Sequence, residues 1–453
     1  MLNDTLLTKI LNQQIPPIHL SDIHWRTQDS TKDSILFYKI NQDTNSQNLF
    51  AERIDKAQYG WLIINVDHPS RPMNSSVVSE NNWPEIQKQI LDILYPAPPI
   101  KMIALTGTNG KTTTTDLVLQ IGTLSGKKGI SIGTLGVREY NKTIFDFGLT
   151  SPSLIDLRKF LNRYGQNKDF CVLEASSHAL VQRRLYGMKF DMAGWLSFSQ
   201  DHLDYHKTME EYFAAKALLF DYLTETAKVF VPVQQSDLYD KISRVTKKVQ
   251  KTKPIEKKLP PFFCIGFNRN NLEVAVDIIE STFNIKVADV FDKILPPDGR
   301  FFIKPYRSNF IVVDFAHTPD ALDNICQGIR ISFPNHKLKV LFGCGGDRDR
   351  TKRPLMGKIA QAWASEIYVT SDNPRSEDPA RIIDDILSGI TSKNVHKIIE
   401  RPKAVEFAFN ELKENEILLL AGKGHEDYIL INGVKYSYSD IGEVEKFLAG
   451  KKI

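Results

Sequence analysis

The stretch IKMIALTGTNGKTTTT, Ile100 to Thr115, constrains the fold of this chain more than any other feature. Its apolar start reads as a buried strand. Glycines and threonines follow, and then a helical pattern in which Leu117, Ile121 and Leu124 share a face before Gly126 stops it. A strand that turns through glycines directly into a helix belongs to an α/β sheet. Gly107 and Gly110 let the backbone of the loop, with Thr108 and Asn109, turn N–H groups toward phosphate oxygens, and the helix N-terminus adds a favourable dipole. On this reading Lys111 reaches the terminal phosphates of ATP, the hydroxyl of Thr112 holds Mg²⁺, and Thr113 completes the phosphate-facing turn. The usual pattern asks for glycine where Leu105 stands, so the loop is a variant. A nucleotide site alone leaves a kinase, a motor, a ligase and a non-catalytic sensor open.

Further along, FIVVDF, KLKVLFG, EIYVTS and EILLLAG are short β-rich runs separated by helical stretches such as LMGKIAQAWA. That alternation predicts parallel sheets covered by helices on both faces, with ligands beyond the carboxyl ends of the strands. Before the phosphate loop, SILFYKI and YGWLIINV read as strands around a helical stretch near LFAERIDKAQ. The length of 453 residues suits about three domains. Proline-bearing breaks at YPAPPI and LPPDGR divide the chain into a small α/β domain (1–96), a central P-loop domain on a mostly parallel sheet (97–299) and a Rossmann-like domain (300–453). KLPPFF, Lys258 to Phe263, is expected to be a loop inside the second unit.

The lysine-rich KKVQKTKPIEKK, Lys247 to Lys258, reads as a solvated loop, because no aromatics interleave as a nucleic-acid surface requires. A net charge of +4 is slight for this length and argues neither for nor against nucleic acid, and no nucleic-acid partner is expected. No apolar run approaches the roughly 20 residues of a membrane span, and the amphipathic MLNDTLLTKILNQQ lacks a signal-peptide core. Four well-separated cysteines without a CxxC suit reduced thiols. A cytoplasmic protein is expected.

Four more stretches bear on the class: LEASSHALVQRR, SFSQDHLDYHKTMEEYFAAKALLF, VVDFAHTPDAL and FGCGGDRDRTKRPLMG. With the phosphate loop, and densely from Ile100 to Phe220 and Pro297 to Tyr428, they resemble the Mur ligases, the ATP-dependent amide-forming enzymes of peptidoglycan precursor synthesis. The resemblance is to the branch that adds the third stem-peptide residue to UDP-N-acetylmuramoyl-L-alanyl-D-glutamate, and it implies ATP, Mg²⁺ and a monomer. The chemistry is consistent with this. An amide from a carboxylate needs an activated acyl group, and the two anions brought together must be neutralised by cations.

Glu174, ending the strand FCVLE, is a natural Mg²⁺ ligand. The resemblance makes His202 in DHLD a second ligand or its orienter. It also implies that Lys216 in YFAAKALLF reacts with CO₂ to give a carbamate (N6-carboxylysine) that serves as an anionic metal ligand, a reaction that needs the neutral amine favoured among apolar neighbours. It places Asn271 on the adenine side, and Arg300 and Asp314 on the nucleotide when the C-terminal domain closes. The UDP-sugar dipeptide is assigned Ser30 in QDSTKDSILF, Thr150 and Ser151 in LTSPS, and Ser176, Gln182 and Arg184 in SSHALVQRR.

TSDNPRSEDP, Thr370 to Pro379, separates two substrate classes. A lysine side chain ends in a lone ammonium, whereas meso-diaminopimelate adds a carboxylate beside it. An arginine fork binds a carboxylate by paired, charge-assisted hydrogen bonds and repels an ammonium. The resemblance marks DNPR as a diaminopimelate signature. Arg375 is therefore assigned the distal carboxylate with Asp372 and Asn373 beside it, Glu426 and the backbone at Gly422 the distal ammonium, and Arg348 the proximal carboxylate. The competing structural reading pairs Arg375 with Glu377 or Asp378 in an exposed turn. Rival functions are lysine addition, folate glutamylation, muropeptide recycling, a P-loop kinase and a non-catalytic regulator. Two departures stand out: a shortened segment between Phe220 and Phe267, and Leu196 to Phe198 reading LSF where the family has TN.

Overall fold

The computed structural model describes residues 1–450 except 42, 141, 258, 265, 288, 289 and 298. Three separate sheets of mixed α/β character organise the chain, besides two small antiparallel pairs. The first is fully parallel, with strands Asp22–His24, Ser34–Tyr38, Trp61–Ile64 and Ser75–Val77 side by side in chain order. Its strands alternate: Leu36, Leu62 and Ile64 face a core with Phe50 and Ile54 of helix Thr44–Lys56, while Ile35, Phe37, Trp61 and Ile63 pack into the core of the second sheet. The N-terminal amphipathic stretch is the helix Asp4–Leu11, capped by Asn3, whose Oδ1 accepts from the Leu6 N–H at 3.0 Å.

The second sheet has eight strands. Gly129–Gly133, Phe170–Glu174, Lys101–Thr106, Phe190–Trp195, Leu223–Val231 and Val249–Lys251 run parallel, and the strands Gly136–Glu139 and Lys142–Phe145 add an antiparallel edge. Lys101–Thr106 lies in the middle and feeds helix Lys111–Leu124, which is buried around nearly its whole circumference between the sheet and helix Gly266–Phe283. At its end Gly126 takes φ +79°, a left-handed conformation that costs other residues but not glycine. Two expectations are corrected here. Val249–Lys251, inside the lysine-rich run read as a solvated loop, is an edge strand paired with Leu223–Val231, its one lysine tolerated because an edge faces water. KLPPFF is not simply a loop: Pro261–Cys264 forms a short helix whose Phe262 and Phe263 are buried where the cores of the second and third sheets merge. Burial of each ring is worth about 2 kcal/mol, enough to override the turn signal of the prolines.

The third sheet runs Phe302–Tyr306, Asn309–Asp314, Glu416–Ala421, Lys337–Phe342, Glu366–Val369 and Val395–Lys397, parallel except for its first strand. Helices Pro319–Ser332, Lys352–Trp363 and Pro379–Leu387 cover one face, and Arg401–Asn410 and Asp440–Gly450 the other. Strand residues alternate between the two cores, as Leu418 and Leu420 against Ile417 and Leu419 illustrate. Among the described residues no helix is long and apolar enough to cross a membrane.

Candidate active site

The carboxyl ends of the second and third sheets face one cavity of about 770 Å³. The phosphate loop forms its floor. Gly107 and Gly110 take φ +147° and +89°, and a Cβ on Gly110 would sit 2.6 Å from Asn271 Oδ1. Asn271, assigned to the adenine side, thus packs directly on the loop. The hydroxyl of Thr108 exchanges hydrogen bonds with the backbone of Ser199, and Ser197 Oγ accepts from the Asn109 N–H at 2.9 Å. Where the sequence reads LSF, the serine hydroxyl braces the loop. Asn109 also reaches the third sheet's domain: its Nδ2 donates to Asp320 at 2.9 Å and its Oδ1 accepts from Thr318 at 3.3 Å.

Lys111 folds back over its own loop, donating to the carbonyls of Gly107 and Thr108 at 2.8 and 2.9 Å. Desolvation lowers its pKa, against the opposing pull of Glu174. Glu174, buried at the end of its strand, accepts from Thr112 Oγ1 at 3.2 Å and from Thr134 N and Oγ1 at 2.8 and 3.2 Å. Thr113 lies buried in the same first helical turn. Lys216, on helix Met209–Ala217, is 1% exposed, donates to the Gly107 carbonyl at 2.9 Å and lies 4.4 Å from the Tyr212 ring centre. Burial, then the charge of Lys111, drives its pKa well below that of a free lysine. His202, in a left-handed turn at φ +54°, has its pKa pushed down to about 3 by burial despite Asp201 3.5 Å away, so its imidazole is neutral.

Among the described residues no three His, Cys, Asp or Glu side chains form a ready-made metal cage. The donor set present is a carboxylate, a neutral imidazole and a threonine hydroxyl beside a phosphate loop. That suits Mg²⁺, which keeps several waters and takes phosphate oxygens with one or two protein carboxylates.

Arg300 lies 4.7 Å from the Phe315 ring centre, and its Nε has no hydrogen-bond partner among the described residues. Asp314 spends both oxygens on backbone, accepting from the Phe301 and Ala316 N–H groups at 2.8 Å. It therefore shapes the Arg300 turn as well as facing the cavity.

Of the residues assigned to the UDP-sugar dipeptide, Thr150 and Ser176 line the cavity, and Ser151, Gln182 and Arg184 form a polar chain behind them. Ser151 Oγ donates to the Glu174 carbonyl at 2.7 Å, Thr150 Oγ1 lies 3.3 Å from Thr134 Oγ1, and Ser176 caps helix Ser177–Val181. Arg184 donates to the Ser151 carbonyl at 2.9 Å and to Gln182 Oε1 at 2.6 Å. Ser30 is not brought to the cavity. Its hydroxyl donates to the Thr27 carbonyl at 2.8 Å in the first domain.

The residues assigned to the amino-acid substrate sit on the third sheet and form what we call the amino-acid corner. Arg375, at φ +53°, donates from Nη1 to the carbonyls of Gly346 at 2.7 Å and Asn373 at 3.4 Å, and its backbone is tied to Leu430 and Asn432. Among the described residues it pairs with no carboxylate. Glu377 goes instead to Arg353 and Arg350, and Asp378 caps helix Pro379–Leu387. The exposed-turn pairing is thus absent. Arg348, Asp372, Asn373, Gly422 and Glu426 line the same cavity. Asn373 Nδ2 donates to Glu426 Oε2 at 2.9 Å, and the Gly422 N–H to the Asp314 carbonyl at 3.0 Å. Sequence reasoning missed two buried lysines. Lys352 donates to the His317 carbonyl at 3.0 Å and lies 3.8 Å from Asp201; Lys423 pairs with Asp372 and Glu426. The signal for Lys423 was its place between two glycines just past the strand EILLLA.

A phosphate loop and a cluster of charged side chains share one cavity between two mostly parallel sheets, an arrangement that suits a nucleotide-dependent ligase built from α/β domains. Family models described as "Mur ligase middle domain" and "Mur ligase, glutamate ligase domain" match residues 105–288 and 299–424. The chain belongs to the Mur ligase family. It is 35% identical over 441 residues to the UDP-N-acetylmuramoyl-L-alanyl-D-glutamate--2,6-diaminopimelate ligase of Rickettsia bellii, covering 87% of this chain and 90% of the relative. It is also 35% identical over 455 residues to the protein of the same name from Aquifex aeolicus, covering 92% of each. A solved structure of a ligase of that name matches with a TM-score of 0.64 and 28% identity over 99% of both chains. The fold alone is shared with MurF ligase from Thermotoga maritima in complex with ADP, at a TM-score of 0.61 and 14% identity over 88% of this chain and 93% of that one.

Proposed function

We propose that this chain uses ATP to join meso-2,6-diaminopimelate to UDP-N-acetylmuramoyl-L-alanyl-D-glutamate in the cytoplasm, in peptidoglycan precursor synthesis. The observation that carries the reading is Arg375. Its guanidinium faces the cavity of the phosphate loop and is committed only to backbone carbonyls among the described residues, with Glu426 beyond Asn373. A carboxylate beside an ammonium suits that pair; a lone ammonium leaves the arginine unmet.

In this mechanism a substrate carboxylate oxygen attacks the γ-phosphorus of ATP and ADP leaves. The diaminopimelate amine then attacks the acyl-phosphate carbon, losing a proton as phosphate departs. Lys111 swings from its loop carbonyls to the terminal phosphates, and Arg300 turns its unpartnered Nε toward them. Glu174, Thr112 and His202 would hold Mg²⁺, which when bound neutralises charge on the phosphates. Lys216, kept neutral, adds through its lone pair to CO₂ and loses a proton, so that a neutral amine becomes an anionic carbamate beside Gly107. Arg348 holds the carboxylate next to the attacking amine. The contacts Asn109–Asp320 and Gln200–Asp349, the latter at 3.1 Å, join the two domains beside the site where the acyl phosphate would form. The test is ADP release with UDP-muramoyl-dipeptide and a panel of diamino acids. Release that requires both substrates and prefers diaminopimelate supports the reading. A stable phosphorylated product without amide, or equal use of lysine, contradicts it.

A further inference from the structure

Lys423 has no exposed surface, yet it stands in the middle of the amino-acid corner. Its Nζ lies 3.0 Å from Asp372 Oδ1 and 3.1 Å from Glu426 Oε2, and it donates to Asn373 Oδ1 at 3.3 Å and to the Tyr428 carbonyl at 2.9 Å. Its location follows from the chain path. Strand Glu416–Ala421 ends, Gly422 turns at φ +110°, and the next side chain is driven inward under the loop Asp372–Arg375.

Two consequences follow. Both partners of Glu426, Asn373 Nδ2 and Lys423 Nζ, converge on Oε2, and among the described residues no hydrogen bond reaches Oε1. One oxygen is pinned and the other presented. Second, one lysine between two carboxylates leaves a single net negative charge, next to the positive fork of Arg375. That pair of opposite charges complements a zwitterion. Without the lysine the corner would carry an extra negative charge and a carboxylate held by Asn373 alone, a surrounding that suits a lone ammonium better.

We propose that Lys423 is the positioning residue that makes this corner select a zwitterionic side-chain terminus over a lone ammonium, by pinning Glu426 and cancelling the charge of Asp372. The proposal deepens the function given above and rests on it. The experiment compares wild type, Lys423→Met and the double variant Asp372→Asn/Lys423→Met. Steady-state ADP release is followed with meso-diaminopimelate and with L-lysine, at saturating ATP and UDP-muramoyl-dipeptide. In Lys423→Met the KM for diaminopimelate should rise about 30-fold or more, the consequence of breaking a buried charge pair. Its kcat should change by less than about threefold, the KM for the UDP substrate should hold, and the preference over lysine should shrink. The double variant, which removes the opposing charge as well, should recover part of the lost affinity.

Equal loss of kcat on both amino acids with KM unmoved would make Lys423 a fold residue and overturn the proposal. So would an undiminished preference for diaminopimelate in Lys423→Met. A wild type inert with diaminopimelate sinks the substrate assignment beneath the proposal, and so the two failures are told apart. Should Lys423→Met not fold, a wild-type crystal with diaminopimelate decides. Glu426 Oε1 on the ammonium with Lys423 still on Oε2 is expected, and a rotated Glu426 or a displaced Lys423 overturns the idea.

Discussion

The two ends of the cavity handle charge in opposite ways. At the phosphate loop, desolvation disfavours the charges of Lys111, Lys216 and Arg300, and Lys111 has only loop carbonyls to bond. At the amino-acid corner the charges are already matched: Lys423 sits between Asp372 and Glu426, and behind them Arg353 bridges Glu377 and Asp385 at 2.8 Å each. Burial alone would raise the pKa of Asp372, but Lys423 and Arg401 outweigh it and keep the carboxylate ionised. The difference is one of ligand. On the proposed reading, the end where Lys111 and Arg300 bond no carboxylate among the described residues takes a polyanion, and the end balanced in advance takes a ligand of no net charge by where its charges lie.

Four experiments press on that contrast. Lys216→Ala should cost about 10³-fold or more in amide formation, the scale of losing a group that organises transition-state charge, and a small carboxylic acid should restore part of it. Wild-type turnover in that variant would remove Lys216 from the phosphate end. Arg375→Ala should lower kcat/KM for diaminopimelate by about 100-fold, as expected for a desolvated charge-assisted contact, while the KM for ATP stays put. If both constants move together, the two ends are not separable. Asp320→Ala, which breaks the hydrogen bond to Asn109 between the domains, should reduce kcat by about tenfold or less, read as single-turnover ADP formation.

The gentlest test is pH. Burial pushes the pKa of His206 and His317, near the phosphate end, down to about 4 from an ordinary 6.5. The unfolded chain then binds protons that the folded chain refuses, so their contribution is full above pH 6.5 and is lost as pH falls toward 4. Melting temperature should drop between pH 7 and 5, and His317→Gln should flatten that slope. An unchanged slope would mean that His317 titrates freely.

Local chemistry made the phosphate end legible in the sequence. A glycine's permissive backbone, a lysine and threonines fall within ten residues, so Gly107 to Thr113, Glu174 and Lys216 could be named from their motifs and do line or brace one cavity. Apolar runs gave some strands of each sheet, such as SILFYKI, IKMIALTG and EILLLAG, but not shorter or more polar ones such as Ser75–Val77, Lys142–Phe145 and Val395–Lys397. What stayed hidden depends on contacts distant in sequence. Lys423 meets Asp372 across 51 positions, and the flanking glycines in GKGHED mark a strand-end turn without giving the partners its lysine meets. Ser197 bracing Asn109 and Phe262 joining two cores are likewise tertiary facts. The edge strand within the lysine-rich run was misread because composition reports solvation, and an edge strand is solvated too. Ser30, assigned to the UDP-sugar from QDSTKDSILF, lies in a turn of the first domain outside this cavity, its hydroxyl on the Thr27 carbonyl.

The contrast between the two ends stands or falls on which side-chain terminus the balanced corner accepts. Wild-type enzyme given ATP and UDP-muramoyl-dipeptide should release ADP in step with meso-diaminopimelate consumption and do so poorly with L-lysine. Equal rates with the two amino acids would show that Arg375 reads no carboxylate.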